Sequence, residues 1–576
     1  MISRFITLCC FVWLVASCKD QPSEASEGLA DIIETYQDHS GYDKKEFPLG
    51  IHTAAFYKSE AQFAQLQLDA LAAISTSDIS PSEQISHELL SFVLQDQIDY
   101  YAYEQYLNPL LSDAGFHLDL NYKVRPLENY EAVKTYLNTL NAIPEFVATH
   151  FKNLREGLKK GISQPSVIFN GYASTYENHL VNHYKESFFY SPFEKLPAQL
   201  TEAQKDSVLD AAQKAIEKSV IPEFRKIKIF FEKEYLPQTR TSIGIYQTLN
   251  GEEWYQNRIN FYTTSKSYTA ADIHQIGLEE VSRIKQEMQG IIGALGFEGS
   301  FSEFLNFLRT DSQFYATSPK ELLMIARDIS KRIDAELPRF FKTLPRKPYG
   351  VAAVPDAIAP KYTGGRYIPT SKNSSKPGYF WVNTYNLKSR TLYTLPALAA
   401  HEGVPGHHLQ GALNNELGDS IPQFRKDLYL SAYGEGWGLY SESLAAEMGI
   451  YTTPYEAFGK LTYEMWRACR LVVDTGIHAK AWTRDQVVKY MTENTALSLH
   501  EINTETDRYI SWPGQALSYK MGELKIQELL KRTKESLGAR FDYKDFHEII
   551  LGQGTVSLDI LEQRIAQYIL SKKEIK

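Results

Sequence analysis

Helix-start signals followed by apolar residues at helical spacing recur along most of this chain of 576 residues. Thr201 and Gln204 form a capping-box pattern before one such run, and Thr269 precedes another. Pro222 is expected to kink or split the first of these helices, because proline has no backbone N–H. Short β-like runs with clustered Pro and Gly interrupt the helical pattern at residues 346–387. The sequence therefore predicts a mainly α fold with one small β-sheet.

Three of the four cysteines lie within the first 18 residues. A positive charge, an apolar run and small residues predict a signal peptide over 1–17. The ending LVASC resembles a bacterial lipobox, which predicts that Cys18 becomes the lipidated first residue of the mature chain. Residues 18–45 then form a tether that ends in a first helix. The remaining cysteine, Cys469, lies in a helical pattern and is expected to be a buried, inert thiol.

The charge balance and hydropathy restrict the partners of the chain. Lys and Arg total 61 against 70 Asp and Glu, a formal net charge of -9, which argues against nucleic acid. After the signal peptide, no apolar run is long enough to span a bilayer. The expected membrane attachment is therefore the lipid on Cys18, at the periplasmic side of the envelope, the outer membrane or the cell surface. Lys19, rather than Asp, follows Cys18, which resembles sorting to the outer membrane.

A cluster of histidines follows an apolar, helix-like segment in the C-terminal half. Residues 401–408 read HEGVPGHH. A His-Glu pair with another histidine nearby indicates zinc, because neutral imidazoles bind the metal and the carboxylate accepts a proton from the attacking water. His401 is therefore a predicted zinc ligand and Glu402 the predicted general base.

The second histidine of this cluster does not stand at the usual position. In a regular helix, ligands four residues apart share one face, but the fourth residue after His401 is Pro405. Proline between two glycines favours a local distortion. A distortion that absorbs two residues would bring His407 to the required place, so His407 is the predicted second ligand. His408 is the alternative.

Catalytic zinc needs a third protein ligand and one open position. The segment 431–442 reads SAYGEGWGLYSE and precedes an amphipathic helix. Glu435, flanked by glycines and near aromatic residues, is the predicted third ligand. Glu442 is expected to orient a ligand histidine through a hydrogen bond.

These motifs, with VVDTGIH and PGQALSYKMG further along, resemble a large bacterial family of exported proteins known only as a domain of unknown function. That family is identified as a member of the gluzincin-type metallopeptidase clan and is distantly similar to thimet oligopeptidase, angiotensin-converting enzyme and Taq-type carboxypeptidases. The resemblance implies a large helical zincin-like metallopeptidase fold with a deep cleft and a small sheet beside the active-site helix. Residues 46–345 would form one side of the cleft, and residues 346–576 the catalytic region.

The resemblance also implies a Tyr and a His that stabilise the transition state. Tyr519 is the expected oxyanion donor, and His478, close to Asp474, is expected to contact the substrate or transition state. Arg508 is predicted to bind a substrate carboxylate. The β-like run ending at Asn383 is predicted to be either an edge strand to which a peptide substrate adds, with Asn383 in contact with the substrate, or a strand buried in the core.

The combined prediction is a zinc-dependent peptidase that hydrolyses short peptides and carries one Zn²⁺ per chain. Two alternatives remain open from the sequence. One is a binding lipoprotein that captures glycans or other nutrients, and the other is a pseudo-peptidase with an altered metal site. The metal content of the protein distinguishes the enzyme from the binding protein.

Overall fold

A computed structural model describes residues 23–356, 358–371 and 374–574. The predicted signal peptide and the lipidation site at Cys18 lie outside the described residues. About 70% of the structure is helical, and its sheet has only three strands in the part described. The prediction of a mainly α fold with one small sheet is confirmed.

The α-helices and β-strands follow one another along the whole described chain. The first eleven helices are α1 (Glu24–Asp38), α2 (Ala54–Ala72), α3 (Pro81–Ala102), α4 (Phe116–Asp119), α5 (Tyr130–Lys160), α6 (Ser174–Glu177), α7 (Glu202–Ala215), α8 (Ile221–Ile229), α9 (Gly251–Thr263), α10 (Ala270–Ala294) and α11 (Phe301–Thr310). The next elements are α12 (Pro319–Phe340), β1 (Tyr349–Ala353), β2 (Gly365–Ile368), β3 (Gly378–Val382), α13 (Leu395–Glu402), α14 (His407–Asn415), α15 (Gln423–Asp427) and α16 (Ser431–Glu447). The last are α17 (Pro454–Ala479), α18 (Arg484–Asn494), α19 (Leu499–Ser511), α20 (Ser518–Leu537), α21 (Tyr543–Leu551) and α22 (Leu558–Glu574).

The predicted helix starts are present, and Pro222 splits its helix as expected. The Thr201 side chain accepts the Gln204 N–H, and the Gln204 side chain accepts the Thr201 N–H, which starts α7. A wide π-helical turn, Ile216–Val220, then connects α7 to α8, where Pro222 lies in the first turn. Proline is tolerated there because an N–H at a helix start has no intrahelical partner. Thr269 caps α10 in the same manner as Thr201 caps α7.

The prediction that the run ending at Asn383 is an edge strand is wrong. The strand order is β1-β3-β2, so β3 is central, with a parallel partner in β1 and an antiparallel partner in β2. Phe380 and Val382 of β3 are fully buried. The apolar run reflects burial at the centre of the sheet, whereas an accessible edge is provided by β2.

Two large apolar clusters form the core. One contains residues of α5, α7, α8, α10 and α17, and the other contains residues of α1–α3, α12, the sheet, α13, α16 and α20–α22. Both clusters combine residues from before and after position 346. The division of the chain at 345/346 stays a prediction, and the two predicted segments share their cores.

Glycine contacts set the distance between the helices that carry the candidate site. A Cβ atom built on Gly436 of α16 would lie 2.6 Å from Gly522 Cα of α20. These two helices therefore cross in backbone contact, which larger side chains would prevent. The predicted inert cysteine, Cys469 of α17, is fully buried and forms no disulfide. Burial raises the pKa of its thiol, as expected for an inert cysteine.

Within the described ranges, no helix combines the length and apolar character that a membrane-crossing helix requires.

Candidate metal centre

The HEGVPGHH segment forms two helices separated by a short distortion. The Ala400 carbonyl accepts the Gly406 N–H at 2.9 Å, six residues on, where a regular α-helix would use a residue four positions on. The distortion thus absorbs two residues, as the Pro405 position predicted, and the Val404–Pro405 peptide bond is cis. A Cβ atom on Gly406 would lie 1.9 Å from the His401 carbonyl oxygen, so only glycine fits.

The distortion brings His401 and His407 together, and Glu435 of α16 joins them. Glu435 Oε2 lies 3.5 Å from His401 Nε2 and 3.5 Å from His407 Nε2. One ligand atom from each of the three residues lies within 4.8 Å of the others. Bonds of about 2.1 Å in a tetrahedral arrangement separate ligand atoms by about 3.4 Å, so these three side chains fit a zinc ion.

Glu442 orients the first histidine of the cluster. His401 Nδ1 lies 2.8 Å from Glu442 Oε1, and both side chains are buried. This contact assigns the proton of the neutral imidazole to Nδ1 and leaves Nε2 directed at the cluster with a free lone pair. Burial alone would lower the pKa of His401, but contacts with Glu435 and Glu442 outweigh burial and raise the pKa to about 10. The site therefore favours a positive charge at this position.

Glu435 is held as a carboxylate by its neighbours. Burial would raise the pKa of Glu435, but His407 and His401 keep that pKa well below its ordinary value. The Tyr429 hydroxyl donates to Glu435 Oε1 at 3.1 Å, which leaves Oε2 for the cluster. Tyr429 is 58% exposed as a residue, but loss of hydration around its hydroxyl and the nearby Glu435 carboxylate raise its pKa well above the ordinary value, so this phenol stays protonated. Tyr429 lies in the loop before α16, and no pattern in the sequence singled it out.

The sequence GEGWG in α16 makes room for these groups. A Cβ atom on Gly438 would lie 2.7 Å from His401 Nε2, and one on Gly434 would lie 2.5 Å from the Tyr429 ring. Trp437, fully buried between them, donates from Nε1 to the Pro405 carbonyl at 2.8 Å. Trp437 thereby connects α16 to the distortion that positions His407.

Glu402 and His408 face the sheet. The Tyr367 N–H of edge strand β2 donates to Glu402 Oε2 at 2.8 Å. His408 is buried outside the cluster, with Nδ1 3.1 Å from the Tyr367 hydroxyl, and burial lowers the pKa of His408 to about 4. Of the two candidate second ligands, only His407 is brought to His401 and Glu435.

Two residues predicted to contact substrate have structural partners. His478 is fully buried, with Nε2 2.9 Å from the Tyr509 carbonyl oxygen and Nδ1 accepting the Ile245 N–H. Asn383 is also fully buried, and its amide donates to three backbone carbonyls of residues 359–363. The predicted substrate roles of His478 and Asn383 do not fit these positions, because the contacts occupy the polar atoms that a substrate would need.

The Asp474 carboxylate does not orient His478, although the two residues lie one helical turn apart. Asp474 is fully buried and accepts the Tyr255 hydroxyl at 2.6 Å and the Gly514 N–H at 3.1 Å. Burial outweighs these bonds and raises the pKa of Asp474 from 3.8 to about 7.

Replacing Asp474 with Asn is expected to flatten the dependence of stability on pH. Because the folded pKa is raised, the native state binds the extra proton, so stability is present at low pH and is lost as pH rises toward about 7. Between about pH 5 and pH 7, the free energy of unfolding of the wild type should fall by about 2.5 kcal/mol more than that of Asp474→Asn. Asparagine keeps the Oδ1 atom that accepts both hydrogen bonds. Urea unfolding at several pH values measures this difference, and equal pH slopes for the two proteins would contradict it.

Arg508 and Tyr519 lie around a second arginine that the sequence did not reveal. Arg508 and Arg470 both bond Glu505 Oε2, at 3.2 and 3.1 Å, so two guanidinium groups share one carboxylate. Arg470 stacks on the Tyr519 ring at 4.4 Å. Tyr519 is half-buried and close enough to Tyr429 to help raise the pKa of the Tyr429 phenol, so the two phenols lie near each other.

The helix that carries Tyr519 does not begin at Pro513, where a proline would favour a helix start. α20 begins at Ser518, after a single 3₁₀ turn. Gly514 adopts φ +83°, a left-handed conformation that no α-helix contains, and this conformation delays the start.

Comparison with known proteins agrees with the extent of this fold. Residues 35–565 match a bacterial family described as "Bacterial protein of unknown function (DUF885)". The chain belongs to this family. The match runs from α1 to α22 and includes every residue of the candidate metal centre. A search of curated proteins found no match.

Two solved structures share the DUF885 chain's architecture. The crystal structure of the "putative lipoprotein" from Colwellia psychrerythraea is 26% identical, with a TM-score of 0.86, over 96% of this chain and 100% of that one. A "putative lipoprotein of unknown function" from Shewanella oneidensis is 18% identical, with a TM-score of 0.69, over 93% of this chain and 97% of that one. The second likeness concerns the fold alone.

Proposed function

We propose that this protein is a zinc-dependent peptidase of the gluzincin type, which hydrolyses short peptides. The observation that carries the proposal is the convergence of His401, His407 and Glu435, at distances that suit tetrahedral zinc. Three protein ligands leave one position open, which is the arrangement of catalytic zinc sites, whereas structural sites use four ligands. A bound zinc ion would supply Lewis acidity for water activation and for polarising a peptide carbonyl.

Glu402 is the proposed general base. Its carboxylate follows His401 directly, and the Tyr367 N–H fixes Oε2 at 2.8 Å. The other carboxylate oxygen, Oε1, is the one that would accept a proton from the attacking water and return it to the leaving amine. A backbone donor of a strand is a rigid support, so the position of this base does not depend on a mobile side chain.

Tyr519 is the proposed donor to the oxyanion of the tetrahedral intermediate. It lies near Tyr429, on the helix that crosses α16 at Gly436 and Gly522. Tyr429, in the loop before α16, is proposed to hold Glu435 in place, because its hydroxyl donates to Glu435 Oε1. That hydroxyl is therefore committed to the proposed ligand carboxylate and not to the substrate.

The surroundings of the site suit an extended peptide with a free carboxylate. Strand β2 is an edge strand, and its Tyr367 contacts Glu402, so a substrate paired with β2 would lie beside the base. Arg470 and Arg508 share the single carboxylate of Glu505 and retain excess positive charge. The proposed role of Arg508 in binding a substrate carboxylate therefore extends to Arg470.

We place the protein at the cell envelope, attached through a lipid on Cys18. The similar structure from Colwellia psychrerythraea belongs to a protein described as a "putative lipoprotein", and the lipobox-like ending at Cys18 agrees with that description. The peptidase and its anchor are separate proposals, because the metal centre lies far along the chain from Cys18.

Removal and return of zinc tests the proposed activity. The purified protein is expected to contain about one zinc per chain, to cleave quenched-fluorescence peptides, to lose this activity after dialysis against a chelator and to regain it with zinc. Elemental analysis and initial rates provide both readouts. A chain that binds no zinc, or hydrolysis that persists without metal, contradicts the proposal. Zinc binding without hydrolysis of any peptide favours the pseudo-peptidase.

A further inference from the structure

Arg425 and Arg564, both in the C-terminal half, have no acidic partner among the residues that the structure describes. Arg425 of α15 is fully buried, and its guanidinium donates to neutral groups of Ser82, Ser86 and Gln553. Arg564 of α22 is half-buried and makes no hydrogen bond or ion pair with any residue that the structure describes. Unpaired cations in a protein interior are costly, because burial removes their hydration. An anionic ligand beside Arg425 and Arg564 would compensate this unpaired charge.

Each of these two arginines also has an N–H group without a hydrogen-bond acceptor. Arg425 Nε and Arg564 Nη1 are buried and have no hydrogen-bond partner in the described part of the chain. The charge of Arg564 lowers the pKa of Arg425, in addition to burial, which shows that the two guanidinium groups lie close to each other. Two neighbouring cations repel unless an anion lies between them.

A cavity of about 340 Å³ opens beside these arginines. Arg564 lines it directly, together with Ser82 and Gln553, which also contact Arg425. Gln563 and Gln567 of α22 add amide groups to the lining. The first turn of α3 lines the same space.

The acidic residue in the cavity wall does not neutralise the arginines. Glu88 lines the cavity, and burial raises its pKa. The charges that act on Glu88 are those of His87 and Asp559, and neither arginine is among them. The pair Arg425 and Arg564 therefore keeps its positive charge within the described structure.

We propose that this cavity binds a phosphate group, bonded by Arg564 in its wall, with Arg425 adding positive charge from behind Ser82 and Gln553. A phosphate monoester carries a charge of about −1.5 to −2 at neutral pH, which matches two uncompensated guanidinium groups. Arginine is suited to phosphate because its planar N–H fork bonds two oxygens at once. The amide and hydroxyl groups of the lining would bond the polar remainder of the ligand. None of the residues that line this cavity belongs to the proposed metal centre.

Calorimetric titration of the full chain at neutral pH and constant ionic strength tests this site. One titration uses inorganic phosphate, and a second uses the soluble short-chain lipid dihexanoylphosphatidylglycerol below its micelle concentration. Saturable binding of inorganic phosphate assigns the site to free phosphates or phosphate monoesters. Binding of the lipid alone assigns it to phospholipid headgroups, and both results support the proposal. An absence of binding in both titrations overturns it.

Arg564→Gln is the decisive variant, because Arg564 is half-buried and can be replaced without leaving a large cavity. We expect at least about tenfold weaker binding in Arg564→Gln, and an intermediate loss in Arg564→Lys, which keeps the charge but lacks the planar fork. Lys531→Gln is the matched control, because it removes one positive charge from an exposed side chain of α20. Equal binding in wild type and Arg564→Gln, or an equal loss in Lys531→Gln, overturns the proposal.

Thermal unfolding without phosphate separates a ligand site from a structural role. Arg564→Gln is expected to unfold at the same or a higher temperature than wild type, because it removes an unpaired, partly buried cation. Added phosphate should raise the unfolding temperature of the wild type and leave that of the variant unchanged. A variant that is less stable than wild type in both conditions, with an unchanged response to phosphate, would show a structural role.

Discussion

Replacing Glu402 with Gln is expected to lower kcat for peptide hydrolysis by about 10²–10⁴-fold while leaving zinc bound. Glutamine has the same shape as glutamate, and its carbonyl oxygen can still accept the Tyr367 N–H. An amide cannot accept the proton of the attacking water, so the variant lacks the general base. Steady-state rates on a fluorescent peptide, with zinc measured in the same sample, provide the test.

Glu447→Gln is the matched control for this experiment. Glu447 lies exposed near the end of α16, the helix that also carries Glu435, so its replacement removes one charge without touching the centre. Its kcat should remain within about twofold of wild type. Full activity in Glu402→Gln, with zinc present, would refute the assigned mechanism, whereas loss of zinc together with activity would show that Glu402 supports the metal.

Replacement of His407 is expected to lower the zinc content of the protein, whereas replacement of the adjacent His408 is expected to leave it unchanged. His407→Ala removes one of three ligands, so zinc should fall from about one per chain toward none after dialysis against a weak chelator. His408→Ala should retain zinc, because His408 bonds the Tyr367 hydroxyl outside the cluster. His408→Ala should instead lower the free energy of unfolding by about 1–3 kcal/mol, because a buried polar contact is lost.

Elemental analysis and urea unfolding of both variants complete this comparison. Both are His-to-Ala changes in the first turn of α14, so each serves as the control for the other. The opposite pattern, zinc lost in His408→Ala and retained in His407→Ala, would require a different arrangement of the segment 401–408. Zinc retained at full occupancy in both would show that the metal binds elsewhere.

Much of the candidate centre could be predicted from local rules. The distortion at Pro405 follows from a residue that lacks an N–H between two glycines, and it places His407 at the effective fourth position after His401. Glu435 and Glu442 lie on the same helix, and the motif around them indicated the roles of ligand and orienting carboxylate. Those roles stay predictions, but the geometry that they require is present.

Other site residues could not be recognised from the sequence. Tyr429 approaches Glu435 from a loop, and its partner is set by the packing of α16. His478 and Asp474 lie one helical turn apart, but their partners are Tyr509, Tyr255 and Gly514, which belong to other elements. Sequence spacing shows which residues share a helix face and carries no information about what packs against that face.

The sequence by itself determined the helical class, the helix starts and the placement of a His-Glu pair beside a helix distortion. These features depend on hydrogen bonds between residues a few positions apart, so neighbouring residues decide them. Only the tertiary structure decided that β3 is central and that His407 rather than His408 meets Glu435. It also decided that Arg425 and Arg564 have no counter-charge within the described ranges. Each of these depends on how distant segments pack, because burial and charge pairing belong to the assembled core rather than to any single helix.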